Sequence, residues 1–457
     1  MSKAKTIYEC QACGAQYPKW MGKCSDCGGW NTVEESLSPV KPLTPRAQAF
    51  SADREASLPV PLRNVDKSSR QRFSSTLDEL DRVLGGGIVE GSAVLVGGDP
   101  GIGKSTLLLQ LLMGLSLSGL TVLYVTGEES ARQIRMRSDR LGGPPENLLV
   151  MAEISLEAIT GALEKTRPAA AVVDSVQTLY CSDLTGAPGT VSQVREVSAR
   201  LVAWAKAHGM PLFLVGHVTK DGSIAGPRVL EHMVDTVLYF EGDKGLPVRI
   251  LRATKNRFGS TNEVGVFEMR EEGLKGVANP SGLFLSERPA DAPGSAVVPC
   301  MEGTRPLLVE VQALVAPHAF GAGQRTTSGI ERNRVQILLA LMERKLGYNL
   351  SGHDVFVNVA GGMEVSEPAG DLGVVAAVTG AFLNRALPAG SVFFGEVGLA
   401  GEVRAVSGAE DRVREAVKLG FTSAYLPERQ ASAMKAPKGF ELVGVRNVTH
   451  FADSVGF

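Results

Sequence analysis

The chain has 457 residues, of which 44 % are apolar and 21 % charged, a balance that excludes global disorder and suits about three domains at roughly 150 residues each. The formal net charge of −2 leaves no overall basic excess, so any nucleic-acid surface must be a local patch. The apolar run around residues 107–117 is too short and interrupted to span a bilayer, and no apolar signal region precedes the first cysteines. A cytoplasmic protein without membrane contact is expected.

Four of the six cysteines fall in the first 27 residues, as Cys10-x-x-Cys13 and Cys24-x-x-Cys27, each pair followed by a glycine (Gly14, Gly28). Such knuckles aim four thiolates at one point and make a closed tetrahedral Zn²⁺ site, structural because no position is left open for chemistry. Disulfides or a redox pair are the other reading of this spacing. Tyr17, Pro18, Lys19, Trp20 and Trp30 are the large side chains expected to pack around the metal. The module is placed at residues 1–32. Residues 33–72 then shift to Pro, Ser and Ala, with Pro39, Pro42, Pro45, Pro59 and Pro61, and read as a linker.

An α/β domain with a mainly parallel sheet is predicted over residues 73–288. The spacing of Leu77, Leu80, Val83 and Leu84 predicts a short helix over 76–84, stopped by Gly85-Gly86-Gly87. An apolar strand over 92–96 leads into Gly98-Asp99-Pro100-Gly101-Ile102-Gly103-Lys104-Ser105-Thr106, and a helix follows. Strand, G-x-x-x-x-G-K-[ST] loop and helix together define a phosphate cradle in which backbone N–H groups face phosphate oxygens. Lys104 would reach the β- and γ-phosphates and Ser105 would ligate Mg²⁺. Apolar runs at 122–125, 148–151, 170–173, 212–215, 234–240 and 250–251 supply further strands, the last ones spaced as antiparallel edge strands.

Asp174 ends the run 170–173, where a carboxylate can hold the Mg²⁺ hydration shell or simply form a turn. Glu128 and Glu129 follow the run 122–125, and either can polarise an attacking water or face solvent at a helix start. The spacing does not separate the two. The arginines 132, 135, 137 and 140 fall on more than one helical face and read as solvated.

Four blocks in order, the C4 module, GDPGIGKST (98–106), VVDSVQT (172–178) and Lys255-Asn256-Arg257-Phe258-Gly259, resemble the RadA/Sms branch of bacterial RecA-like recombination proteins over essentially the whole chain. The resemblance implies an ATP site shared between subunits, with Lys255 and Arg257 reaching a neighbour's γ-phosphate. It implies that His217 senses that phosphate, and that a loop carrying Lys220 and Arg228 follows the backbone of single-stranded or branched DNA, together with residues 182–191 and the same Lys255 and Arg257. It further implies a homo-oligomer, a six-membered ring, a RecA-type recombinase as partner and a motor driving branch migration in recombination and repair. An ATP-controlled scaffold that regulates partners on DNA without translocating is the competing reading.

After Pro289 and Pro293 a second α/β domain is expected, residues 289–457, with a strand over 307–315, a long helix over 333–346 and a strand over 355–359. It resembles the proteolytic domain of Lon around 367–373 and 398–404. The nucleophilic serine position there is Ala369 and the activating lysine position is Glu410, so neither can perform the chemistry. Ser366 lies three residues away and would point elsewhere. A proteolytically inactive domain used for assembly is the expectation.

Overall fold

The computed structural model describes residues 5–17, 19–38, 61, 63, 72–216, 229–242, 248–289, 291–318 and 323–457. The chain divides into two compact units between Gly276 and Val277. Residues 277–288, expected at the end of the ATPase domain, fall with the second unit, because Ser281 on the helix Pro280–Phe284 accepts a hydrogen bond from Leu308 N at 3.0 Å. Among the described residues no helix is long and apolar enough to cross a membrane.

The first cysteine-bearing segment forms a three-stranded antiparallel sheet of β1 (Lys5–Cys10), β2 (Gln16–Tyr17) and β3 (Val33–Ser38), ordered β2-β1-β3. Cys10 pairs with Val33, so residues read from composition as linker instead complete this sheet. Gly14 and Gly28 adopt φ of 75° and 73°, the left-handed turn that returns each knuckle on itself. The core is Cys10, Cys24 and Val33, with Tyr8, Cys13, Ala15 and Tyr17 against it. Trp20 and Trp30 do not join it: they are 58 % and 71 % exposed. So small a sheet closes on its sulfurs and tyrosines, and the expected tryptophan packing is corrected accordingly.

In the next domain a small ribbon of β4 (Arg72–Phe73) and β5 (Ile88–Val89) flanks the helix Asp78–Leu84. That helix starts two residues later than its apolar spacing suggests, because Thr76 has φ of +66°, and it ends at left-handed Gly85. A nine-stranded sheet follows: β6 (Ala93–Gly98), β7 (Val122–Thr126), β8 (Leu148–Ala152), β9 (Ala170–Asp174), β10 (Leu212–Val215), β11 (Thr236–Glu241), β12 (Val248–Asn256), β13 (Val264–Arg270) and β14 (Gly273–Gly276). The order is β14-β13-β12-β11-β6-β10-β9-β7-β8, parallel from β11 through β8 and antiparallel through β12, β13 and β14. The central strands are buried at every position, which is why they read as unbroken apolar runs. Alternation sends Val94 and Val96 into one core with the helix Lys104–Leu117, and Ala93 and Leu95 into a second core with the helix Val191–Ala207.

The second unit carries a seven-stranded mixed sheet of β15 (Ser295–Glu302), β16 (Arg305–Pro317), β17 (Arg325–Ser328), β18 (His353–Val359), β19 (Ser391–Phe393), β22 (Ser423–Pro427) and β23 (Glu441–Val445), ordered β17-β18-β16-β15-β19-β22-β23. A separate ribbon joins β20 (Glu396–Val397) to β21 (Val403–Arg404). The expected helix is present as Arg332–Leu346. The helix Asp371–Leu383 is buried over its first ten residues, and its Asp371 is neutralised by Arg334 and bonded to Val397 N.

Candidate functional site

β6 ends at Gly98 and the loop 98–103 turns into the helix Lys104–Leu117. Gly98 sits at φ of 142°, and a Cβ there would stand 2.5 Å from Phe240 O on the adjoining β11, so the backbone approach demands glycine. Gly101 and Gly103 are also left-handed, at 80° and 119°. Asp99, Pro100 and Gly101 form the exposed crest, while buried Ile102 anchors the loop to the core. Lys104 is 4 % exposed, and its Nζ donates to Gly98 O at 2.7 Å and Asp99 O at 2.9 Å. Burial pushes its pKa below the usual lysine value, opposed by the negative charges of Asp174, Asp99 and Glu128. Ser105 and Thr106, half-buried, follow in the first turn of the helix, the end at which backbone N–H groups lack helical partners and suit phosphate oxygens.

The register of β7 with β9 sets Thr126 beside Asp174 at the carboxyl edge of the sheet. Asp174 is nearly buried, and its Oδ2 accepts the Tyr124 hydroxyl at 2.5 Å. One carboxylate oxygen is thereby oriented by a wholly buried phenol. Gly127 N bonds Asp174 O at 2.9 Å, tying the Glu128 loop to the end of β9.

The two glutamates then part. Glu129 is half-buried and pairs with Arg137 at 2.5 Å, and Thr126 Oγ1 accepts its N–H at 2.9 Å. Glu128 is exposed at the mouth and accepts a short hydrogen bond from Ser175, the residue after Asp174. The structure thus sets Lys104 within the charge of Asp174 and Glu128 and gives Glu129 to an ion pair. It also turns Arg137 inward, while Arg132, Arg135 and Arg140 stay exposed. Tyr124 and Ser175 escaped the sequence reading, since a tyrosine inside an apolar strand reads as core.

Lys255 and Arg257 lie elsewhere. Val237 pairs with both Leu95 and Lys255, and Thr236 with both Val94 and Asn256. The block therefore sits at the amino end of β6, about 10–13 Å along the strand from Gly98 at roughly 3.3 Å per residue. Lys255 Nζ donates to Glu231 O at 2.6 Å and Val234 O at 2.8 Å, and burial with the adjacent Arg257 lowers its pKa. Arg257 is exposed and meets Asp235 at 3.3 Å, a buried carboxylate that also takes Lys206 at 2.8 Å and Ala93 N at 3.1 Å. His217, Lys220 and Arg228 lie outside the described residues. In the segment 182–191, Glu157 accepts from Ser182 N and Oγ, and buried Gln193 laces Cys181, Leu184 and Gly186 through their backbones.

The four N-terminal sulfurs lie within 4.8 Å of one another, with Cys10–Cys27 at 3.6 Å and Cys13–Cys24 at 3.5 Å. A tetrahedron at a Zn–S distance of about 2.3 Å spaces its sulfurs about 3.8 Å apart, so the set fits Zn²⁺. In the second unit Ala369 is buried, while Ser366 and Glu410 are exposed. Fully buried Arg412 instead makes a bidentate pair with Glu367 at 2.6 Å on both oxygens, a pairing between segments 45 residues apart that no local pattern announces.

A buried loop lysine beside a strand-end aspartate at the carboxyl edge of a parallel sheet, behind a four-thiolate metal site, defines a P-loop ATPase with a zinc ribbon. Its cofactors are accordingly ATP with Mg²⁺, and Zn²⁺. Residues 59–223 match a family model described as an AAA domain, and residues 8–35 one described as a rubredoxin metal binding domain. The chain is 52 % identical to "DNA repair protein RadA" of Bacillus subtilis (strain 168) over 98 % of both chains. It is 49 % identical to the protein of that name from Listeria monocytogenes serovar 1/2a, again over 98 % of each, and 48 % identical to that of Streptococcus pyogenes serotype M1 over 100 % of each. The chain belongs to the RadA family of DNA repair proteins.

Proposed function

We propose that this chain is a DNA-dependent ATPase working as a ring-shaped motor, a helicase or branch-migration engine, in recombination and repair. The observation that carries this reading is the separation of Lys255 and Arg257 from their own phosphate loop. Cations set back from their own phosphate loop are suited to a phosphate brought by a neighbouring subunit, and hydrolysis would then depend on assembly.

In this reading the loop 98–106 wraps the phosphates and Lys104 contacts the β- and γ-oxygens. Ser105 and Asp174 hold Mg²⁺, which offsets phosphate charge when bound. Glu128 orients the attacking water and accepts its proton, its reach set by Ser175. Glu129 is assigned a structural role by its Arg137 pair. His217 senses the γ-phosphate, and Lys220 and Arg228, with the segment 182–191 and Lys255 and Arg257, contact single-stranded or branched DNA through its phosphates. The second unit, Lon-like and without a usable nucleophile at Ala369, assembles the six-membered ring. A RecA-type recombinase is the expected partner and the cytoplasm the expected location.

The test is ATP turnover with and without single-stranded DNA for the native chain, Lys104→Ala and Lys255→Ala. Stimulation by DNA that both substitutions abolish supports the proposal, and absence of any DNA response overturns it. Stimulated turnover without displacement of a strand from a forked substrate would select the scaffold reading instead.

A further inference from the structure

Two of the chain's three tryptophans stand in the small zinc module, and neither contributes to its core. Large indoles left in water on a domain that closes without them are unusual, because burying such a ring is among the most favourable uses of apolar surface. Both spring from one hairpin. Trp30 faces Lys23 across an antiparallel bridge, Lys23 Nζ lies 5.4 Å from the Trp30 ring centroid, and Asn31 N bonds Gly22 O at 2.8 Å. The Trp20 ring reaches back over Gly22, within 3.6 Å of where a Cβ would stand. The four-thiolate site fixes this hairpin through Cys24 and Cys27, so the rings are held without help from a ligand.

We infer that this hairpin is a single-stranded DNA site, in which bases stack on Trp20 and Trp30 while Lys19 and Lys23 meet the backbone phosphates. The inference rests on the reading of the chain as a DNA-acting protein and adds a second contact point outside the ATPase domain. Charge complementarity selects the occupant: Lys19 and Lys23 are both exposed beside the rings, and Asp26 is the one acidic side chain from Lys19 to Val33. Flat aromatic faces flanked by ammonium groups bind any unstacked base and read no sequence, whereas a duplex hides its base faces. A protein interface buries about 800 Å² per partner, more than two indoles on one hairpin offer.

The experiment uses the full, zinc-loaded chain with Trp204→Phe, which removes the third indole, one bonded to Glu164 and stacked on His208. Titration with oligo(dT) in the absence of nucleotide is expected to quench the remaining emission. Trp20→Leu and Trp30→Leu should each weaken oligo(dT) affinity about tenfold, as loss of one stacking partner does. Trp20→Phe and Trp30→Phe keep a ring and should retain most of it, with zinc content unchanged in both sets. Emission that stays constant at saturating oligo(dT), or Leu variants that bind as tightly as Phe variants, overturns the site. So does quenching by a purified protein partner but not by oligo(dT). DNA-stimulated ATP turnover, measured alongside, separates failure of this site from failure of the DNA reading, because only the latter abolishes stimulation.

Discussion

At the residue scale the carboxylates around the phosphate loop divide by what already holds them. Glu129 is committed to an ion pair with Arg137, whereas Glu128 accepts from the hydroxyl of Ser175 beside Asp174, so the two substitutions should differ in kind. Glu128→Gln is expected to lower turnover by roughly 10²–10⁴-fold while leaving nucleotide binding intact, as loss of a general base does. Glu129→Gln should leave the chemistry largely in place and lower the melting temperature, because Arg137 loses its partner. Steady-state turnover, fluorescent-nucleotide binding and thermal melts distinguish these outcomes. Tyr124 donates its hydroxyl to Asp174 and is expected to act as a positioning residue for it. Tyr124→Phe should raise the Mg²⁺ concentration needed for nucleotide binding several-fold with little change in melting temperature, since a buried hydroxyl is removed together with the orientation it gave one carboxylate oxygen. A Mg²⁺ titration of nucleotide binding reads this directly.

At the scale of elements, the loop and the zinc module depend on close backbone packing. Gly98→Ala puts a methyl group against Phe240 O and a side chain at φ of 142°, and no flexible neighbour can yield. It should cost more than the roughly 1 kcal/mol usual for a helix or loop glycine and lower the melting temperature of the ATPase domain by several degrees. The three strands β1, β2 and β3 enclose a core of two cysteines and one valine, too small to persist without metal. Chelation should expose four rapidly titrating thiols and unfold this module while the far-ultraviolet signal of the nine-stranded sheet persists. Slow thiol reaction with the metal removed would contradict the role assigned to Zn²⁺.

At the scale of the whole molecule, the proposed ring would divide the site between subunits, and mixing tests the division. Lys104→Ala lacks its own cradle but offers an intact Lys255, and Lys255→Ala the reverse. A mixture of the two should recover DNA-stimulated turnover above either alone, because some interfaces then join a wild-type loop to a wild-type lysine. No recovery at any ratio would place both residues in one subunit's chemistry, against the register that sets Lys255 level with Leu95 on the far side of Val237.

The sequence by itself determined the parts whose chemistry is local. Phosphate binding needs consecutive backbone N–H groups, so Gly98 to Thr106 is legible as a string. Zinc binding needs thiolates at short spacing, and buried parallel strands need unbroken apolar runs. Tertiary structure decided what depends on contacts between distant segments. Glu128 and Glu129 are adjacent and chemically identical, and only Arg137 and Ser175 tell them apart. Residues 33–38 look like linker until β1 supplies a ladder for them. Trp20 and Trp30 look like core until the sulfurs and tyrosines fill it first. The position of Lys255 at the far edge from Gly98 follows from strand register, which no local pattern encodes, because which strands become neighbours is fixed only when the whole sheet forms.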